Sequence, residues 1–196
     1  YHAGEDPGTK PYDCGPCHTT AYSPDGNQDG LPGMLGTWAA PGITCEECHG
    51  PGGNHLEDPY LVDMRMDRDS ESCGACHIRG SASEIPASGG FTKHHEQWNE
   101  ISTSKHRALD CIDCHDPHGS AVYVDATWNP NKGIISSCEN CHFQEAANAN
   151  TAAMGSLECI DCHMPKSTKS ALGNIATFTG DVAGHLFAIN TDASAE

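Results

Sequence analysis

Every cysteine in this 196-residue chain falls in one repeated pattern, Cys-x-x-Cys-His, and that pattern governs what the chain can fold into. The six copies are Cys14-Cys17-His18, Cys45-Cys48-His49, Cys73-Cys76-His77, Cys111-Cys114-His115, Cys138-Cys141-His142 and Cys159-Cys162-His163, and they use all twelve cysteines. The order of residues is chemical. Two thiols three positions apart add to the two vinyl groups along one edge of a porphyrin, and the next residue then lies beneath the ring with a neutral imidazole nitrogen for iron. A single copy would also suit half of a four-coordinate zinc site or a redox dithiol. Neither chemistry requires histidine directly after the second cysteine, and no thiol remains over, so the six copies read as six covalent c-type haems.

That reading explains an otherwise poor composition. Only 37% of the residues are hydrophobic and 6% aromatic, too little for a good polypeptide core. Six porphyrins supply the missing apolar surface. The expected structure is mostly irregular coil, with a few short helices and minimal strand, wrapped around a chain of six haems. The 21 glycines and 12 prolines suit such wrapping, because tight turns need permissive or pre-set backbone.

The net charge of −17, made more negative by haem propionates, excludes nucleic acid as a partner and makes anionic lipid unattractive. No run of 18 apolar residues is present, so no membrane-spanning helix is expected. Covalent haem is attached outside the cytoplasm. The opening Tyr1-His2-Ala3-Gly4-Glu5-Asp6 has no leader, so the chain is read as a mature, exported one.

The second, fourth and sixth motifs share a form. They continue as Gly50-Pro51, Asp116-Pro117 and Met164-Pro165, and are preceded by Ile43-Thr44, Leu109-Asp110 and Leu157-Glu158, each apolar then polar. The proline ends any helical turn that carries the histidine. This recurrence divides a single domain over 1–196 into three dihaem units, at about 1–58, 59–130 and 131–196, with turn signals at Asp58-Pro59 and Asn129-Pro130.

Between the motifs, Tyr1 to Asp13 is polar and expected to lack regular structure. Asp25, Asn27, Asp29 and Gly30 match the first half of a calcium loop, but Gly36 stands where the bidentate glutamate belongs. An acidic turn is the favoured reading and Ca2+ the alternative. Phe91 to Leu109 is the best helical window, with Phe91, His94, His95, Trp98 and Ile101 on one face. Ala121-Val122-Tyr123-Val124 reads as a short strand and Gln144 to Met154 as a helix.

Of thirteen histidines, six close the motifs, leaving His2, His55, His94, His95, His106, His118 and His185 for six distal positions. His55 ends a glycine-rich turn, and His106 and His118 flank the fourth motif. His185 sits in an apolar segment, Gly184 to Ile189, placed to return over a haem. Of adjacent His94 and His95 one is read as a ligand, the other as a propionate contact. His2 is either an unused tail or a ligand, in this chain or in the next molecule. Bis-histidine ligation throughout leaves no open coordination position, which favours an electron carrier over a reductase of a small nitrogen or sulfur oxyanion. Met154 stands before Cys159 as His106 stands before Cys111. It is read as packing, with a His/Met site as the alternative.

These residues resemble a family of exported multihaem c-type cytochromes. The likeness covers Lys10 to Cys14, Gly30 to Gly33, Cys45 to His55, His94 to Gln97, Cys111 to Gly119, Cys159 to Lys166 and Gly180 to Asn190. The resemblance implies the multihaem cytochrome c fold and electron transfer. It also implies distal ligation by His55, one of His94 and His95, His106, His118 and His185. Some members resemble hexahaem cytochromes that polymerise into extracellular filaments. By that likeness, the partners would be other copies of the chain, other cytochromes or extracellular electron acceptors, and the location extracellular or at the cell surface rather than periplasmic. A soluble periplasmic shuttle is the alternative.

Overall fold

The structure, a computed structural model, describes residues 12–31, 33–65, 68–78, 84–85, 87–93, 96–119, 122–123, 125–128, 133–149 and 154–189. The chain divides into two compact units, Tyr1–Asp67 and Arg68–Glu196. His2, His94 and His95, and the opening segment up to residue 11, lie outside the described residues.

In the first unit, α1 (Gly15–His18) carries the first motif and runs directly into β1 (Thr19–Thr20). This strand pairs antiparallel with β2 (Ala40–Pro41), Thr19 facing Pro41 and Thr20 facing Ala40. Helix α2 (Cys45–His49) carries the second motif and stops at Gly50, and α3 (Gly53–Glu57) presents His55. Thr20 joins the exit of one motif to the entrance of the next. Its buried hydroxyl donates to the Gly42 carbonyl at 2.8 Å and accepts the Thr44 N–H at 2.9 Å. The Tyr22 ring fills the space between Gly15 and Gly36, where a Cβ at either glycine would overlap it. The intervening turn is closed by Ser23 and Thr37, which exchange backbone hydrogen bonds of 2.8 Å. Within it, the Asp25 carbonyl accepts the Thr37 hydroxyl, Asn27 bridges to Gly36, and Asp29 sits in a 3-10 turn at φ 55. Among the described residues no group of three His, Cys, Asp or Glu side chains converges on a metal position.

In the second unit, Asp69 caps α4 (Ser70–Gly74) by accepting the Glu71 N–H at 2.9 Å. Next come β3 (Ala87–Ser88), β4 (Phe91–Lys93) and α5 (Gln97–Thr103). The fourth and fifth motifs open as 3-10 turns at Cys111–Asp113 and Cys138–Asn140. Helices α6 (Phe143–Ala149) and α7 (Cys159–His163) precede β5 (Thr168–Asn174) and β6 (Thr179–Val182). The sheet order is β3-β4-β5-β6, with β4 and β5 parallel and Thr92 opposite Thr168. β5 is irregular against β6, and the Asp181 carboxylate accepts the N–H groups of Ser170, Ala171 and Leu172 at 2.7, 2.8 and 2.9 Å.

Two local expectations need correction. The window from Phe91 to Leu109 is not one helix: Phe91 belongs to β4, because residues 92 and 93 find a partner in β5, 76 positions further on. Helix α5 ends at Ser104, whose hydroxyl donates to the Ile101 carbonyl at 2.8 Å and accepts the His106 N–H at 3.0 Å. Val122 and Tyr123 form a turn rather than a strand, since both N–H groups donate to the His118 carbonyl. The alanine-rich helix is present as α6, ending at Ala149; residues 150–153 lie outside the described ones. Met154 is 48% exposed.

Among the described residues, Phe91 is the only buried hydrophobic side chain, at 6% exposure. The groups most deeply buried are polar: Glu96, Asn99, Glu100 and Thr168. Among the described residues many large apolar side chains are exposed, several of them next to the cysteine motifs, such as Ile43, Leu109, Phe143, Leu157 and Ile160.

Candidate haem-binding site

Each motif is one helical or 3-10 turn, so the two thiols share a side and the histidine follows directly. The N–H of the histidine donates to the carbonyl of the first cysteine, at 3.1 Å for His18, 2.9 Å for His77 and His115, and 2.8 Å for His142. None of the twelve cysteines is joined in a disulfide. Asp110 and Glu158 cap the fourth and sixth motifs in reciprocal capping boxes with Asp113 and Asp161, inside the x-x positions.

The imidazoles are oriented from behind. His49 Nδ1 lies 2.7 Å from the Arg65 carbonyl, and Arg65 returns its N–H to the His49 carbonyl at 3.2 Å and its Nε–H to the Cys48 carbonyl at 3.0 Å. His55 Nδ1 lies 2.6 Å from the Val62 carbonyl, and His163 Nδ1 3.3 Å from that of Phe187. A carbonyl only accepts, so Nδ1 carries the proton in each of these rings and Nε2 keeps its lone pair for a metal. His77 Nδ1 is 3.4 Å from Gln97 Oε1, and the Trp98 N–H donates to the His77 carbonyl at 3.0 Å, so the start of α5 braces the third motif. His118 is exposed, with Nδ1 3.5 Å from Asp116 Oδ1.

The remaining distal candidates meet proximal rings. His185 and His115 have ring centroids 6.1 Å apart and planes inclined by 35°. For His106 and His142 the values are 5.8 Å and 67°. Phe187 packs beside both distal rings, 4.3 Å from His106 and 6.0 Å from His185. Burial lowers the basicity of His106, His115 and His185, and neighbouring imidazoles add to it: His142 for His106, His77 for His115, and His115 for His185. All three are thereby held toward the neutral form that binds metal.

Successive motifs of the second unit are neighbours in space. The Cys73 thiol, with Ser70, draws Cys111 down to about 6 against its burial. Cys114 is raised by burial, then by Asp113 and by Cys141 and Cys111. Cys138 is raised by burial, then by Cys159 and Glu139. Ser70 ties the third and fourth motifs directly, its hydroxyl donating to Asp110 Oδ1 at 3.0 Å and accepting the Cys111 N–H at 2.7 Å. In the first unit, Glu47 inside the second motif accepts the Ala21 N–H just beyond the first at 2.8 Å.

This donor set fits haem. No thiol is spent on a disulfide, each pair sits on one turn with its histidine directly after it, and the backed imidazoles present Nε2. The apolar residues flanking the motifs, Ile43, Leu109, Leu157 and Ile160, are 42–53% exposed where a porphyrin face would cover them. Sequence reading missed Arg65, Ser70, Glu100 and Phe187. All four act through backbone groups or contacts distant in the chain, which leave no local pattern.

A model of the family described as cytochrome c554 and c-prime matches residues 2–50, which hold the first two motifs. The dissimilatory sulfite reductase MccA of Wolinella succinogenes is 27% identical over 152 residues, covering 54% of this chain and 19% of that protein. Among solved structures, the outer cell wall cytochrome OcwA aligns with a TM-score of 0.52 at 20% identity, covering 89% of this chain and 55% of its own. The octahaem sulfite reductase MccA of Wolinella succinogenes aligns with a TM-score of 0.54 at 20% identity, covering 81% and 29%. The chain thus spans about a fifth of the curated relative and about half of OcwA.

Proposed function

We propose that the chain is a multihaem c-type cytochrome that carries electrons along a continuous chain of six covalently attached, bis-histidine haems. The observation that carries this reading is the adjacency of the third to sixth motifs: Ser70 bridges the third to the fourth, and Cys114 and Cys138 lie within electrostatic reach of Cys141 and Cys159. Bound haem supplies reversible one-electron exchange between ferric and ferrous iron. The polypeptide attaches each group through its cysteine pair and offers one imidazole from His18, His49, His77, His115, His142 or His163. His55, His106, His118 and His185 serve as distal ligands, as do His2 and one of His94 and His95. The Arg65 carbonyl, Gln97 and the Phe187 carbonyl orient the rings of His49, His77 and His163 that would hold the irons.

The finer form of this proposal is a subunit of an extracellular filament, in which copies of the chain pass electrons end to end. The description of OcwA as an outer cell wall cytochrome supports an extracytoplasmic, cell-surface setting, and no helix among the described residues is long and apolar enough to cross a membrane. A soluble shuttle makes the opposite prediction in sedimentation: it stays at monomer mass, whereas the filament subunit yields polymers visible by electron microscopy.

A reductase is the second reading, favoured by the likeness to a sulfite reductase. It requires one haem without a sixth ligand. Expression with a haem-attachment system, followed by mass measurement and ferric-state spectroscopy, tests both. Six haems, all low-spin and indifferent to carbon monoxide, are expected; a resting high-spin haem that binds carbon monoxide would replace the carrier with the reductase.

A further inference from the structure

We propose that His115 and His185 are the two axial ligands of one iron and His142 and His106 those of the next, with the segment Gly184 to Phe187 holding both sites. The inference rests on the haem reading and adds the pairing to it. An imidazole nitrogen binds a first-row metal at about 2 Å and lies roughly 1 Å from its ring centre, so two rings on one iron have centroids about 6 Å apart. The two pairs stand at 6.1 and 5.8 Å. Each joins a motif histidine to a histidine outside any motif, and the two pairs share no residue.

Backbone hydrogen bonds set the two distal residues in place. The His185 backbone N–H donates to Glu100 Oε2 at 2.6 Å, which fixes the chain where the ring meets His115, and its Nδ1 faces the same carboxylate at 4.0 Å. The turn is further fixed by the Gly184 N–H on the Pro165 carbonyl at 3.0 Å. His106 is set by its N–H on Ser104 Oγ at 3.0 Å and by its carbonyl, which accepts the Leu109 N–H at 2.9 Å. Phe187 then links the sites: its ring touches His106, and its carbonyl backs His163 of the sixth motif. The C-terminal segment therefore supplies a ligand to the fourth haem, packs on a ligand of the fifth and orients a ligand of the sixth. Both pairs cross the boundary near residue 130 that motif spacing suggests.

The test uses the haem-loaded protein. His185→Ala and His106→Ala should each retain six covalent haems by mass and convert one haem to high-spin. In a background lacking the fourth haem (Cys111→Ala, Cys114→Ala, His115→Ala), adding His185→Ala should create no further high-spin haem, whereas adding His106→Ala still should. The background lacking the fifth haem (Cys138→Ala, Cys141→Ala, His142→Ala) should reverse this outcome. A new high-spin haem from His185→Ala in the first background overturns the pairing. If the variants do not fold, an experimental structure of the wild-type holoprotein decides, and iron between any other imidazoles at these motifs overturns the proposal. Wild-type protein that binds no haem would remove the haem reading itself, whereas six low-spin haems with other partners would remove only the pairing.

Discussion

Glu100 and His185 are 85 positions apart in sequence, yet Glu100 Oε2 accepts the His185 backbone N–H at 2.6 Å. The carboxylate is 1% exposed, and its other oxygen, Oε1, has no hydrogen-bond partner among the described residues. Burial pushes its pKa up, partly offset by that N–H. A desolvated carboxylate is costly, and this one is held where it sets the backbone and faces the imidazole of a distal candidate. We expect Glu100→Gln, which keeps an acceptor oxygen and removes the charge, to retain six haems. Loss of negative charge beside a ligand disfavours ferric iron, so one haem potential should rise by about 60 mV, roughly tenfold in equilibrium for one electron. Spectroelectrochemical titration with no displaced haem would show that the carboxylate only holds the chain.

Asp181 stabilises the irregular β5 backbone in a pH-dependent way. Its carboxyl falls from the ordinary 3.8 to about 2, chiefly through the N–H of Leu172, then those of Ser170 and Ala171. A depressed folded value means that the contribution is complete above about pH 4 and disappears as the pH falls through about 2. Amide exchange at residues 170–172, corrected for intrinsic rates, should stay slow down to about pH 3 in the wild type. It should be about tenfold faster at neutral pH in Asp181→Asn. Equal exchange in both proteins would mean that the three hydrogen bonds do not persist in solution.

The contact of Tyr22 with Gly15 and Gly36 separates two kinds of strain. Gly15→Ala overlaps only the ring, a clash of about 1–3 kcal/mol that Tyr22→Ala should relieve. Gly36→Ala also meets the Ser23 carbonyl and sits at φ +77, which adds about 1–2 kcal/mol that removing the ring does not recover. Thermal unfolding of the single and double variants measures this, and equal rescue at both sites would contradict it.

Ser70→Ala removes the bridge between Asp110 and Cys111, leaving a partly buried N–H and a carboxylate oxygen without it. The expected loss is about 1–2 kcal/mol, read as a lower unfolding midpoint of the holoprotein with six haems still attached. An unchanged midpoint would show that the thioether links alone hold the third and fourth motifs together.

Much of the proposed site was legible because the cysteine-pair and histidine pattern is local. Thiols at i and i+3 with histidine at i+4 must share one turn, and all six motifs follow that rule. The scarcity of apolar residues likewise anticipated a protein in which Phe91 alone among the described hydrophobics is buried. Local periodicity failed at Phe91 itself. Its neighbours took strand geometry from Thr168 and Lys169, and no window around residue 91 contains that information. The β5–β6 pair was equally hidden, since β5 is almost wholly exposed and carries no alternating apolar signal.

The sequence by itself determined the pattern on which the haem proposal rests: six cysteine pairs each followed directly by histidine, and too few apolar residues for a polypeptide core. Tertiary structure decided the neighbours. His185 lies 70 residues beyond His115, and backbone hydrogen bonds to Glu100 and Pro165 bring it to that ring. Such contacts use the N–H and C=O groups that every residue carries, so they depend on where the backbone passes and leave no mark in the order of the side chains.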